Sequence, residues 1–131
     1  MTLKSYFENA RGIGVLSTAD REGRVDAAIY ATPHFLDDGT IAFIMRDRLT
    51  HSNIQSNPYA AYLFVEREAG YKGCRLFLKK VREEADSDLL SRLRRRKGTA
   101  VSGNETEAKF LVVFQVEKQL PLVGPGRDAG E

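Results

Sequence analysis

What most constrains this chain is a series of short segments in which apolar residues recur at every second position, each closed off by turn-forming residues. Val25, Ala27, Ile29 and Ala31 alternate with Asp26, Ala28 and Tyr30, and Phe110, Val112, Phe114 and Val116 alternate with Leu111, Val113, Gln115 and Glu117. A period of two sorts side chains onto the opposite faces of a strand and cannot form one helical stripe. Residues 14–19 make a further compact run, joined to residues 25–31 through the polar turn Asp20-Arg-Glu-Gly23, which predicts a β-hairpin. Asp37-Asp38-Gly39 makes the next turn, and residues 40–45 are apolar on both faces, as a strand buried on two sides would be. Residues 59–66 and 73–81 return to β character across a polar stretch containing Gly70.

Three segments change period. Leu3, Tyr6, Phe7 and Ala10 fall on one helical stripe ahead of Gly12. Residues 49–57 form a short helix with Thr50 as its expected cap and Asn57-Pro58 as its end. Residues 86–97 form another, capped by Asp86, with Leu89, Leu90 and Leu93 on its apolar side, an acidic first turn, a basic last turn and Gly98 beyond. Residues 99–106 are a loop of small and polar residues, and residues 120–131 are expected to be a tail that does not pack. The ordered core is then about residues 3–118 of a single domain spanning 1–131. Six short strands joined mostly by hairpins predict a mainly β fold, a six-stranded antiparallel sheet closed into a barrel with a few short helices. A sandwich is the competing architecture, and periodicity does not choose between them.

Composition excludes several functions. With 131 residues there is room for one core. Twenty basic and eighteen acidic residues leave a net charge of only +2, so nothing calls for a nucleic-acid partner. The lone cysteine, Cys74, has no disulfide partner and suits a reducing compartment. Without an apolar run of signal-peptide or membrane-spanning length, a cytoplasmic location and no membrane partner are expected. Gly12-Ile-Gly14 opens a strand and is in the wrong place for a dinucleotide or P-loop motif. His34 and His51 are the only histidines, too few for a His-rich metal site or an evident Ser-His-Asp triad. No metal site and no general acid or base are assigned.

The segment most suited to chemistry runs from Phe43 to Pro58. A buried strand leads into Arg46-Asp47-Arg48, and a helix opens at once. Free amides near His51, Ser52 and Asn53, together with the positive end of the helix dipole, suit a phosphate. Arg46 and Arg48 can grip phosphate oxygens, and Thr50 and His51 can add donors. The rival reading is that these arginines are solvated, Thr50 is only a cap and His51 is a surface residue.

The order of strands, followed by Leu49-Thr-His-Ser-Asn-Ile-Gln-Ser-Asn-Pro58 and an apolar strand, resembles the FMN-binding split-barrel family, which includes the pyridoxamine 5′-phosphate oxidases. The resemblance covers roughly residues 12–81 and, more weakly, 110–117. It implies a split β-barrel that binds FMN at the interface of a homodimer. Carried over by position, Arg46, Arg48, Thr50 and His51 would hold the phosphate, and Ile44 and Met45 would lie against the ring with the backbone of Tyr30 and Ala31 near it; Asn53, at the helix start, is a further expected cofactor-binding residue. The fifth strand, Lys72 to Leu78, and the tail around Leu120 to Gly124 are the candidates to reach the other subunit's flavin. The family's true vitamin B6 oxidases carry Ser-Arg-Lys where this chain has Leu49-Thr50-His51, so that activity is not expected. The implied function is an FMN-dependent oxidoreductase or electron-transfer protein whose redox partner is unknown. The alternative is a non-catalytic module for FMN, haem or a deazaflavin.

The run Arg92-Leu-Arg-Arg-Arg-Lys97 reads as the solvated end of a charge-balanced helix and not as a nucleic-acid patch. Tyr59, Tyr62, Phe64 and Phe77 read as core or dimer interface, and Cys74 as a small buried hydrophobe. The apolar residues on both faces of the fourth and sixth expected strands exceed what the barrel interior needs, which is a physical reason to expect a homodimer.

Overall fold

Alternation of apolar and polar side chains becomes, in a computed structural model, one curled antiparallel sheet. The structure describes residues 2–68, 70–85, 87–96 and 108–124. The strands are β1 (Gly12–Ala19), β2 (Val25–Tyr30), β3 (His34–Phe35), β4 (Ile41–Arg46), β5 (Tyr59–Glu66), β6 (Gly73–Ala85) and β7 (Lys109–Pro121). The helices are α1 (Leu3–Asn9), α2 (Leu49–Ser56) and α3 (Asp88–Arg96). The spatial order is β2-β1-β5-β6-β7-β4-β3, and every pairing is antiparallel.

A seventh strand joins the six expected. It is the two-residue β3, which pairs His34 with Ala42 and Phe35 with Ile41 across the Asp37-Asp38-Gly39 turn. Gly39 takes φ +88°, a left-handed conformation that costs glycine little, and the Asp38 carboxylate accepts from the Thr40 amide. Two strands outrun their sequence signal. β6 continues to Ala85 with register shifts near Phe77 and Lys80, and β7 continues to Pro121. The expected tail is therefore ordered strand at its start: Leu120 is buried opposite Arg75, whose Nε donates to the Pro121 carbonyl. The cap expected at Asp86, the stop at Gly98 and the 99–106 loop lie outside the described residues; within them, the Leu90 amide donates to Ser87 Oγ at the start of α3.

The inner face of the sheet holds Leu16, Ile41, Phe43, Met45, Tyr62, Phe64, Leu76, Leu78, Val112 and Phe114, with Phe7 of α1 and Ile54 of α2 packed against it. Phe7 meets Phe64 edge-on at 5.1 Å, and Phe43 lies 5.0 Å from Tyr62. A second cluster sits on the outer face, where Leu90 and Leu93 of α3 cover Ala42, Leu111 and Val113. That finding corrects the reasoning about β7: its second apolar face is covered by the chain's own helix. The outer face of β2, β1, β5 and β6 is different. Val25, Ile29, Ile13, Tyr59, Val65 and Phe77 stand exposed there. The registers Val15–Ile29, Val15–Leu63, Ile13–Val65 and Ala61–Phe77 join them into one strip.

Candidate functional site

A cleft of about 420 Å³ opens where β2, the end of β4 and the first turn of α2 meet. It is lined by Asp26, Ala28, Ile29, Tyr30, Ile44, Arg46, Arg48, Leu49 and Thr50. Strand alternation sets which side chains reach it. Asp26, Ala28 and Tyr30 share one face of β2, and Ile44 and Arg46 share one face of β4, whereas Met45 between them turns into the core and is 1% exposed. A tight turn, with the Arg48 amide donating to the Arg46 carbonyl at 2.8 Å, then starts α2 beside the same opening.

Five of the expected site residues come together here: Tyr30, Ile44, Arg46, Arg48 and Thr50. Thr50 is not the helix cap. The N-cap is Arg48, which makes no side-chain capping bond, and Thr50 is buried within the first turn, hydrogen-bonded to the Tyr30 side chain. The Ser52 amide is bonded to the Arg48 carbonyl at 2.9 Å, so the amides that lack an intrahelical acceptor fall two residues earlier than expected, at Leu49 to His51. Burial pushes the Tyr30 phenol upward and Asp26 adds to this, while the Thr50 bond and Arg48 act against it. Tyr30 thus stays protonated at neutral pH.

The other expected residues do not line the cleft. Met45 is core. Ala31 presents its carbonyl to Tyr62 Oη at 3.1 Å. Asn53 is buried and donates to Thr18 Oγ1 at 3.1 Å, tying α2 to β1. Lys72 lies exposed beyond the end of β5, where its carbonyl accepts from the Glu66 amide. His51 points behind the helix: its ring stacks on Phe110 at 4.0 Å, with Nδ1 3.0 Å from Asp47 Oδ1 and Nε2 3.1 Å from Glu83 Oε2. Glu83 also accepts from Gln55 and Lys80, each at 2.8 Å. Burial opposes the Glu83 charge, but the hydrogen bonds from Lys80, Gln55 and His51 outweigh it and bring the carboxyl down to about 2. The sequence reading missed Asp26, Ala28, Ile29 and Leu49. The signal for the first two was present, because the alternation already placed Asp26 and Ala28 on the Tyr30 face of β2.

Comparison with solved structures gives the architecture its place. An FMN-binding protein from Syntrophomonas wolfei subsp. wolfei superposes with a TM-score of 0.71 at 20% identity, covering 92% of this chain and 84% of that one. An F420 reductase gives 0.67 at 16% identity, over 88% of this chain and 94% of the other. HutZ, the heme storage protein of Vibrio cholerae, gives 0.64 at 16% identity over 91% of each chain. The fold is the pyridoxamine 5′-phosphate oxidase-like split barrel. No family model and no curated protein matches the sequence. In this split barrel no helix among the described residues is long and apolar enough to cross a membrane. Among the same residues no group of three or more His, Cys, Asp or Glu side chains is arranged to hold a metal.

Proposed function

We propose that the chain binds FMN in the cleft beside Arg46, Arg48 and Thr50 and serves as a flavin-dependent oxidoreductase or electron-transfer protein, working as a homodimer. The observation that carries this reading is the make-up of the cleft, which has two arginines and a helix start with Leu49 and Thr50 at one end, Ala28, Ile29, Ile44 and Tyr30 along the rest, and one acidic residue, Asp26. Paired guanidinium groups and first-turn amides suit a phosphate. Small and apolar side chains suit a flat ring system, and the volume lies within the range of about 300–1,000 Å³ usual for ligand clefts. When bound, the flavin supplies hydride and electron transfer, and the protein supplies binding, orientation and exclusion of water. Arg46 and Arg48 would hold the phosphate, Ile29 and Ile44 would keep water from the ring, and the protonated Tyr30 phenol can donate a hydrogen bond but cannot act as a base.

The exposed strip on β2, β1, β5 and β6 supports the homodimer, since a second copy would take Ile13, Ile29, Val65 and Phe77 out of water. The buried lone Cys74 agrees with a cytoplasmic setting.

A non-catalytic module for haem or a deazaflavin is the second reading, because heme storage and F420 reductase proteins share this fold. Haem fits the cleft less well: no His, Cys or Met is among its lining residues, and both ring nitrogens of His51 are engaged elsewhere. The test is the visible spectrum of the purified protein before and after adding FMN, with size-exclusion chromatography on the same sample. Flavin bands on a dimer, weakened in R46Q/R48Q, are the expected result. A Soret band, or a folded protein that takes up no flavin, would overturn the proposal.

A further inference from the structure

A second cavity, of about 360 Å³, opens between α3 and the turn that joins β3 to β4. Helical period supplies one wall, because Leu89, Arg92 and Leu93 stand at i, i+3 and i+4 and share a face of α3. The hairpin supplies another with Phe35, Leu36, Asp37 and Asp38, and Arg82 of β6 joins them. Leu93 is buried, while Leu36 and Leu89 are half-buried against the same cluster, so apolar surface stays open to water between the charges.

The four charged groups are not equally engaged. Asp38 accepts from the Thr40 amide and hydroxyl, and its other oxygen lies 3.5 Å from Arg82 Nη1. Arg82 Nε lies 3.7 Å from Glu84 Oε2. Both contacts of Arg82 exceed the usual hydrogen-bond range of about 2.7–3.2 Å, so its guanidinium is held loosely. Among the described residues, the Asp37 carboxylate and the Arg92 guanidinium make no hydrogen bond or ion pair, although both line the cavity. Asp37 is half-buried, where a charge without a partner loses part of its hydration. Two acids and two bases balance: a plain anion would meet two carboxylates, and a plain cation two guanidinium groups. A ligand that carries both charges, with apolar groups between them, meets each with its opposite.

We propose that this cavity binds a short apolar peptide with free ends, of dipeptide size. Its ammonium group would sit at Asp37, its carboxylate at Arg92 and Arg82, and its side chains against Leu36, Leu89 and Leu93. The volume lies near the lower end of the range of about 300–1,000 Å³ usual for ligand clefts, which limits the length of the peptide. The inference is independent of the flavin, since no lining residue is shared with the cleft beside Arg46 and Arg48.

The test uses the full chain, labelled at its leucine and isoleucine methyl groups and titrated with leucyl-leucine under NMR. Shifts are expected at Leu36, Leu89 and Leu93, with Ile29 and Leu49 of the other cleft unmoved. Acetylating the amino end or amidating the carboxyl end should each weaken binding roughly two- to fivefold, the worth of an ion pair in partly solvated surroundings. D37N should lose the sensitivity to acetylation and keep that to amidation, and R92Q should reduce the sensitivity to amidation and keep that to acetylation. The blocked peptides test the same contacts in the wild-type protein, so the result stands even where a variant fails to fold. Equal affinity for free and blocked peptides, shifts centred on Ile29 and Leu49, or no shifts at millimolar leucyl-leucine would overturn the proposal. Free leucine binding as tightly as leucyl-leucine would overturn the dipeptide assignment.

Discussion

Replacing Gly14 by alanine tests how the barrel is closed beside the cleft. A Cβ on Gly14 would stand 1.8 Å from Tyr62 Oη, 2.4 Å from Tyr62 Cζ and 2.8 Å from the Tyr30 carbonyl oxygen. Gly14 is thus the gap in β1 through which the Tyr62 phenol reaches the end of β2, where its hydroxyl donates to the Ala31 carbonyl at 3.1 Å. Tyr62 cannot retreat, because it is 0% exposed and packed at 5.0 Å against Phe43 and 6.2 Å against Phe7. Overpacking of this kind costs about 1–3 kcal/mol, and loss of the buried hydrogen bond adds about 1 kcal/mol. G14A should therefore be destabilised by about 2–4 kcal/mol, which for a domain of this size lowers the melting temperature by roughly 4 °C per kcal/mol. Urea unfolding monitored by circular dichroism measures it. Y62F in the same background should cost less than in the wild type, because the hydroxyl it removes is the atom closest to the new methyl group. A G14A protein within about 0.5 kcal/mol of wild type, inside the range of an ordinary surface change, would refute the reasoning.

Three further outcomes follow from the same geometry. Glu83 has its carboxyl lowered from 4.5 to about 2 on folding, so its stabilising effect is complete above about pH 4.5 and is lost as pH falls toward 2; E83Q should flatten this part of the acid-unfolding profile, and an unchanged profile would contradict the network. Cys74 is 4% exposed and its thiol is pushed up to about 11, by burial first and by the Glu66 charge second, so it should react with a disulfide reagent at pH 8 only after denaturant is added. Truncating Leu93 to alanine should cost about 2–4 kcal/mol, although it lies outside the barrel, because it is 3% exposed against Leu111 and Val113; a loss under 1 kcal/mol would mean that α3 is not docked there.

Much of the site was legible because strand period and helix signals are local. Arg46 and Arg48 follow a buried strand and precede a helix, and that order alone places them together at one end of the sheet. Other residues were misplaced for equally physical reasons. The family resemblance put Met45 at the ring together with Ile44, yet one step along a strand reverses the face, and Met45 is buried in the core. His51 was read as a phosphate donor because it opens a helix, yet one step along a helix turns a side chain by about 100°, and Asp47 and Glu83 were waiting behind. Glu83 is 32 positions away, on a strand whose end the sequence underestimated.

What the sequence determined by itself is six of the seven strands, the turn at Gly39, the antiparallel class and the cluster of arginines at a helix start. Each rests on propensities and periods spanning a few neighbouring residues. Only the tertiary structure decided which second faces are covered. The Leu111 and Val113 face of β7 meets α3, whereas the Ile13 and Ile29 face of β1 and β2 is left bare. Apolar patterning records that a face must be buried, but what buries it depends on contacts between residues far apart in the chain, and these exist only once the sheet has curled.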